Sequence, residues 1–352
     1  MEASGVLTRL GSSMRLSRGD RIQVAVIAAL LVFALLGLPQ LLSLYWIDIF
    51  TTAAIFAIAS LGLGLLVGRV GMISLGQVAV LALGAWVGAK LCFSTSLPYP
   101  IVLLLSGVIT MLLGTLIGLP ALRVSGLYLA LVTLMLAGAI NVVLTQINFP
   151  NGGKGFLGFD ELYPGSIRRP SIAVSDPSFF RYTVIVALLM FALALWHLRS
   201  KPGRAWAAIR QSEPAALTAG VNVTLYKMWA FALASFVTGV AGALFGSSSL
   251  KLYNYEFPTQ QSIVLFAVVL MGGIYTLWGA IIAGALLWIL PALFTIWGIN
   301  AEIPTILFGI GVLQVLTTAP AGIAYQFPHD MMRLGKLLYR LIRRPAATAG
   351  ST

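Results

Sequence analysis

Between Ile22 and Thr318 the sequence is a succession of apolar runs, most of about twenty residues, parted by short polar breaks. A run of that length crosses the hydrocarbon core of a bilayer as one helix, which leaves the chain few other ways to fold. Composition agrees, with 59% hydrophobic residues, 9% charged residues and a mean hydropathy of +0.96. A soluble domain carries about a quarter charged residues, so this is an all-α polytopic membrane protein. The 352 residues allow roughly eight to ten helices with their loops and leave no room for a sizeable soluble domain.

The formal net charge of +12 does not point to nucleic acid, because the basic residues lie at the termini and in loops. That is how cytoplasmic loops orient a membrane protein. Cys92, the single cysteine, ends an apolar run, so neither a disulfide nor a thiolate metal site is expected.

Residues 1–21 are a basic, cytoplasmic N-terminal segment, and a transmembrane domain is expected over 22–320. The first span, about 22–38, has no small-x-small site before Pro39 and reads as a retained anchor. Further spans are expected at about 44–67, 77–92, 101–119, 127–147, 182–198, 228–249, 262–271, 279–297 and 303–318. Residues 148–181 form an extracytoplasmic loop of nearly balanced charge, and 321–352 a basic cytoplasmic tail. Ten spans put every strongly basic segment on one side, with both ends cytoplasmic. Gly272-Gly273 is the weak point of this count, since it marks either a turn between spans eight and nine or a break within one helix.

Residues 199–227 are a basic island carrying Arg199, Lys201, Arg204, Arg210 and Lys227 against one acid, Glu213. Two short helices are expected in it. The first runs from about Gly203 to Gln211, with Trp206 and Ile209 on one face beside Arg204 and Arg210. Ser212 is placed as N-cap of the second, with Glu213 and Pro214 in its first turn, then Ala215 and Ala216, and Gly220 as its C-terminal glycine. The island is either a docking surface for another protein or a connector with an interfacial helix.

Gly71-Met-Ile-Ser-Leu-Gly-Gln77 reads as a broken helix lining a pathway through Gly71, Ser74 and Gln77, or as a turn running into a helix. Gly272 and Gly273 carry the same double reading. Asp48, Glu302, His197 and His329 all sit away from a helix midplane, which disfavours an ion-coupled carrier. No catalytic residues, metal ligands or nucleotide-binding loop are found, so any ATP is bound by another subunit. Glycine-x3-glycine pairs, as at Gly84/Gly88 and Gly242/Gly246, are no commoner than 36 glycines give by chance, yet the abundance of small residues implies close helix packing.

Several stretches together resemble the permease subunits of branched-chain amino-acid ABC importers, specifically the longer of the two paralogous permeases. They are Gly71–Gln77 with Ala82-Leu-Gly-Ala85, Leu119-Pro-Ala-Leu-Arg-Val-Ser-Gly-Leu-Tyr-Leu-Ala-Leu-Val-Thr133, Asn151-Gly-Gly-Lys-Gly155, and Gly203-Arg-Ala-Trp-Ala-Ala-Ile-Arg210 continuing through Glu213-Pro-Ala-Ala216 to Gly220. The likeness covers roughly residues 44–320. The chain departs from the family pattern at Phe149-Pro150, at Pro214 and at Gln77, where His is common.

The resemblance implies ten helices in two inverted five-helix halves and a cytoplasmic coupling loop that enters a cleft of the ATPase. It assigns Arg204, Trp206, Ile209, Arg210, Glu213, Ala215, Ala216 and Gly220 to that contact, with Trp206 and Ile209 as anchors and the charged residues as polar rim. Trp206 has a second reading, an aromatic lying among lipid headgroups. The implied partners are a paralogous permease, two ATP-binding subunits that hold ATP and magnesium, an extracytoplasmic solute-binding protein and the lipid bilayer of a bacterial inner membrane, with no nucleic acid and no cofactor on this chain. The solute is a branched-chain amino acid or, as elsewhere in the family, urea, a short amide or another small solute. A stand-alone channel or facilitator is the reading from a different class.

Overall fold

The computed structural model describes Leu35, residues 37–121, Val124, residues 126–146, 167–249, 252–300 and 303–318, and Gly322. The first expected span, most of the 148–181 loop with Asn151–Gly155, and nearly all of the tail lie outside the described residues. The chain divides between Ile47 and Asp48. The earlier unit contributes a helical turn at Leu38–Leu41 with Pro39 in its first turn, and the rings of Tyr45 and Trp46 meet edge-on at 5.9 Å.

The helices are α1 (Leu44–Gly64, continued as a π-helix over Leu65–Val70), α2 (Gln77–Ser94), α3 (Tyr99–Ala121) and α4 (Leu127–Gln146). They are followed by α5 (Asp176–Arg199), α6 (Lys201–Gln211), α7 (Glu213–Thr218) and α8 (Val223–Ser249). The last three are α9 (Thr259–Gly272), α10 (Leu277–Ile296) and α11 (Ile303–Thr318). Among the described residues there are helices and no strands.

Among the described residues, seven helices are long and apolar enough to cross a membrane, and α9 and α11 are shorter apolar helices. Each of the nine later spans expected from the sequence coincides with one of these. The 14 residues of α9 rise about 1.5 Å each, well short of a hydrocarbon core of about 30 Å. Gly272-Gly273 marks a turn: α9 ends there, Gly273 takes φ +113°, and α10 opens at an N-cap, Thr276, whose Oγ1 accepts from Gly279 N. The two helices pack on each other as a hairpin.

α8 is the helix against which the others are built. Its inner positions are small (Ala230, Ala234, Ser235, Gly239, Gly242, Gly246), so neighbouring backbones come close, as helices in lipid require. A Cβ on Gly84 of α2 would stand 2.5 Å from the Gly239 carbonyl oxygen. Gln77 meets Thr238 while Gly88 meets Ala243, so α2 and α8 run parallel. In contrast, Phe56 of α1 touches Phe245 and Gly62 touches Thr238, so α1 and α8 are antiparallel. α3 is antiparallel to α8 too, with Tyr99 near Ala243 and Gly118 near Phe231.

At the end where α8 finishes, Arg169 closes the bundle. Its guanidinium donates to the carbonyls of Ser247 and Ser248, which are C-terminal carbonyls short of helical partners, and pairs with Asp176 at 2.6 Å. Arg168 donates to the carbonyls of Thr95 and Leu97 just beyond α2.

Candidate functional site

The opposite end of the bundle gathers the π-helical end of α1, the 71–76 loop, the α6–α7 pair, the start of α8 and the α9–α10 turn. α6 is amphipathic. Ala205, Trp206 and Ile209 are buried, and Arg204, Ala207, Arg210 and Gln211 are exposed. Ser212 Oγ accepts from Ala215 N and caps α7, Glu213 sits in the first turn, and Gly220 follows at φ +80°. The two-helix reading of the island therefore holds, with α7 six residues long.

The orientation of α6 differs from the expected one. Trp206 is 0% exposed, and its indole Nε1 donates to Tyr226 O at 2.8 Å. Trp206 and Ile209 thus pack into this chain's own core and do not project as anchors, nor does Trp206 lie free for headgroups. The reason is local: a buried indole needs an acceptor, and the first turns of α8 supply both that acceptor and an apolar wall. Lys227, counted from the sequence as part of a basic surface, is 7% exposed and bound to Glu213 at 2.5 Å. The surface left outward is formed by Arg204 and Ala207 of α6 and by Pro214, Ala215, Leu217 and Gly220 around α7, while Ala216 is buried. Leu217, missed from the sequence, is the large apolar side chain there, 59% exposed on a helix whose other outward residues are small or polar.

Arg210 is not only a rim residue. Its Nη1 donates to Gly68 O at 2.8 Å, and its guanidinium lies 4.3 Å from the centroid of the Tyr275 ring.

Beside this segment is a cleft lined by Ser74, Gly76 and Gln77, by Thr133 and Ile140 of α4, by Gly114 and Gly118 of α3, and by Phe231 and Ser235 of α8. Gln77 Nε2 donates to Thr238 Oγ1, which fixes the first turn of α2 against α8. Leu75 N donates to Thr133 Oγ1 at 2.9 Å, so the polar loop is held by α4. The cleft brings Ser74 and Gln77 together with Thr133 and Ser235. Thr133 closes one of the stretches that carry the family resemblance; Ser235 had no signal beyond being a polar residue in an apolar helix. Gly71 is exposed, at φ +83°, where the π-helix ends. Gly272 and Gly273 are buried in the α9–α10 turn, where a Cβ on Gly272 would stand 2.3 Å from Gly279 O, and they do not line this cleft. Their glycine content serves a tight helix hairpin. Among the described residues no three metal-ligating side chains come together.

Outside the membrane-spanning helices, Glu256 between α8 and α9 has a carboxyl raised above its usual value, because burial disfavours the charge more than the Tyr253 backbone N–H favours it.

A bundle of apolar helices, with a cleft lined by uncharged residues at one end beside an amphipathic helix pair, is the architecture of a multi-pass membrane protein. Residues 45–316 match the family described as branched-chain amino acid transport system / permease component, and the chain belongs to that family. It is 31% identical over 287 residues to the high-affinity branched-chain amino acid transport system permease protein LivM of Salmonella typhimurium, covering 75% of this chain and 67% of the relative. The protein of the same name from Escherichia coli is 30% identical over the same shares. No solved structure gives a significant match.

Proposed function

We propose that this chain is the membrane subunit of an ATP-driven importer, forming half of a translocation pathway for branched-chain amino acids. The observation that carries the ATP-driven part is the α6–α7 pair. Its apolar face is fixed to the chain by Trp206–Tyr226 and Glu213–Lys227, and its other face presents Pro214, Ala215 and Leu217 to a partner. A segment anchored on one side and free on the other transmits a push instead of folding away from it.

On this reading two ATP-binding subunits hold ATP and magnesium and press on α7 from the cytoplasm of a bacterial cell. A paralogous permease completes the pathway, and a solute-binding protein delivers from the outer face. The site alternates between the two sides of the inner membrane as the ATPases close and separate. The solute is supported by the names of the relatives, and the cleft that Ser74, Gln77, Thr133 and Ser235 help to line carries no charged residue, which suits a molecule without net charge. Ten helices in two inverted halves with both termini cytoplasmic are supported by α1 and α8. Including its π-helical end, α1 is 27 residues long, as is α8; both are the most buried spans, and they run antiparallel.

The test is uptake of labelled leucine by proteoliposomes holding the complex that co-purifies with the tagged chain. Uptake is expected to require solute-binding protein outside and MgATP on the face bearing α7. Flux through the isolated chain without ATP would replace the importer with a facilitator. ATP-driven flux of urea but not leucine would keep the importer and change its solute.

A further inference from the structure

We infer that Arg210 is the positioning residue through which movement of the coupling helices reaches the solute cleft, by way of the π-helical end of α1. This rests on the ATP-driven reading above and goes beyond it by naming the relay.

The helix α1 ends in an unusual way. Over Leu65–Val70 it takes up a π-helical register, and both Gly71 N and Met72 N donate to Leu66 O. An α-helical register would send Val70 N to that oxygen instead. The two registers differ by one residue per turn, so passing between them rotates and shifts everything that follows. Carbonyls in the last turn of a helix lack intrahelical donors. That of Gly68 is taken by Arg210, a residue 142 positions away on α6.

Arg210 simultaneously stacks on Tyr275 in the α9–α10 turn. The turn also packs closely on the same place, since a Cβ on Gly68 would lie 1.8 Å from Ile274 O. One guanidinium therefore ties α6, the end of α1 and the α9–α10 turn together. The residues that follow the π-helix are those of the 71–77 segment, and Ser74 and Gln77 line the cleft.

Arg210 lies on α6 and moves with it, and its guanidinium holds Gly68 O at the end of α1. The pull on Gly68 O biases the hydrogen-bond register of Leu65–Val70, and the change is passed six to nine residues along the chain to Ser74 and Gln77. This gives the coupling a physical two-register element instead of mere proximity.

Hydrogen–deuterium exchange on the intact complex, with and without MgATP plus vanadate, reads the relay directly. In the wild type, peptides covering 213–220 and 65–72 should both change their uptake on adding nucleotide. In Arg210→Ala the 213–220 response should persist and the 65–72 response should fall, with leucine imported per ATP hydrolysed down about tenfold. Arg210→Lys, which keeps a donor and a cation, should recover part of both. Tyr275→Leu, which leaves the Gly68 hydrogen bond in place, should lower the uptake ratio and serves if Arg210→Ala fails to assemble. An unchanged 65–72 response in Arg210→Ala overturns the relay, as does a wild type in which 213–220 responds and 65–72 does not. A wild type in which 213–220 is itself silent overturns the importer reading first, and the relay with it.

Discussion

The indole nitrogen of Trp206 in α6 donates a hydrogen bond to the backbone oxygen of Tyr226 in the first turns of α8, at 2.8 Å and with the tryptophan fully buried. This bond and the Glu213–Lys227 pair fix which face of the α6–α7 pair turns inward. With Trp206 and Ile209 turned inward, Leu217 on α7 is the large apolar side chain left outward.

Trp206→Ala is expected to act on stability. Truncating a buried tryptophan costs about 3–5 kcal/mol, while Trp206→Phe, which removes chiefly the hydrogen bond, should cost nearer 1 kcal/mol. Thermal unfolding of the purified chain in detergent measures both. Equal stability of all three proteins would mean that Trp206 is not in the core.

Leu217→Asp should do the reverse. Leu217 is 59% exposed, so the isolated chain should keep its stability to within about 0.5 kcal/mol. Pull-down of the ATPase should nevertheless fall sharply. Undiminished binding would move the docking surface off α7.

Gly84→Leu should break the packing of α2 on α8. Its new Cβ would meet the Gly239 carbonyl oxygen at 2.5 Å, and the three nearest atoms are all Gly239 backbone, which cannot swing away as a side chain would. Overpacking of this kind costs about 1–3 kcal/mol or more. The readout is the monodisperse yield after extraction, which should drop for Gly84→Leu and stay near normal for Gly64→Leu, where a Cβ meets nothing within 4 Å.

Glu256 gives a pH dependence. Its folded-state carboxyl is raised above the usual 4.5, so the folded protein holds this proton more tightly than the unfolded chain. The stability this contributes is complete below the ordinary carboxylate value and is lost as pH rises through the raised one. Glu256→Gln should therefore raise the melting temperature at pH 7 relative to wild type, and the gap should close near pH 4. A gap that widens on acidification would show that Glu256 is stabilised as the anion.

Much of the site was legible in the sequence because it is written in local chemistry. Ser212 caps α7 and Gly220 ends it, since a hydroxyl three residues before a free amide and a residue without a Cβ do the same work in most contexts. The burial of Lys227 against Glu213, and the contact of Arg210 with the Tyr275 ring, carry no local signal. Both depend on residues brought together from different helices.

The sequence by itself determined that the chain is a membrane-spanning helical bundle, roughly where each of the apolar helices lies, and that residues 199–227 hold two short helices. Insertion of a helix in lipid is a property of its own twenty or so residues, and each segment states it alone. Only the tertiary structure decided that Ser74 and Gln77 meet Thr133 and Ser235 in one cleft, that Gly272 and Gly273 close a hairpin outside it, and that Arg210 reaches Gly68. In lipid every helix is apolar on all sides, so hydrophobic pattern does not select a partner. Close packing of small residues and a few long-range hydrogen bonds do, and these exist only once the helices have met.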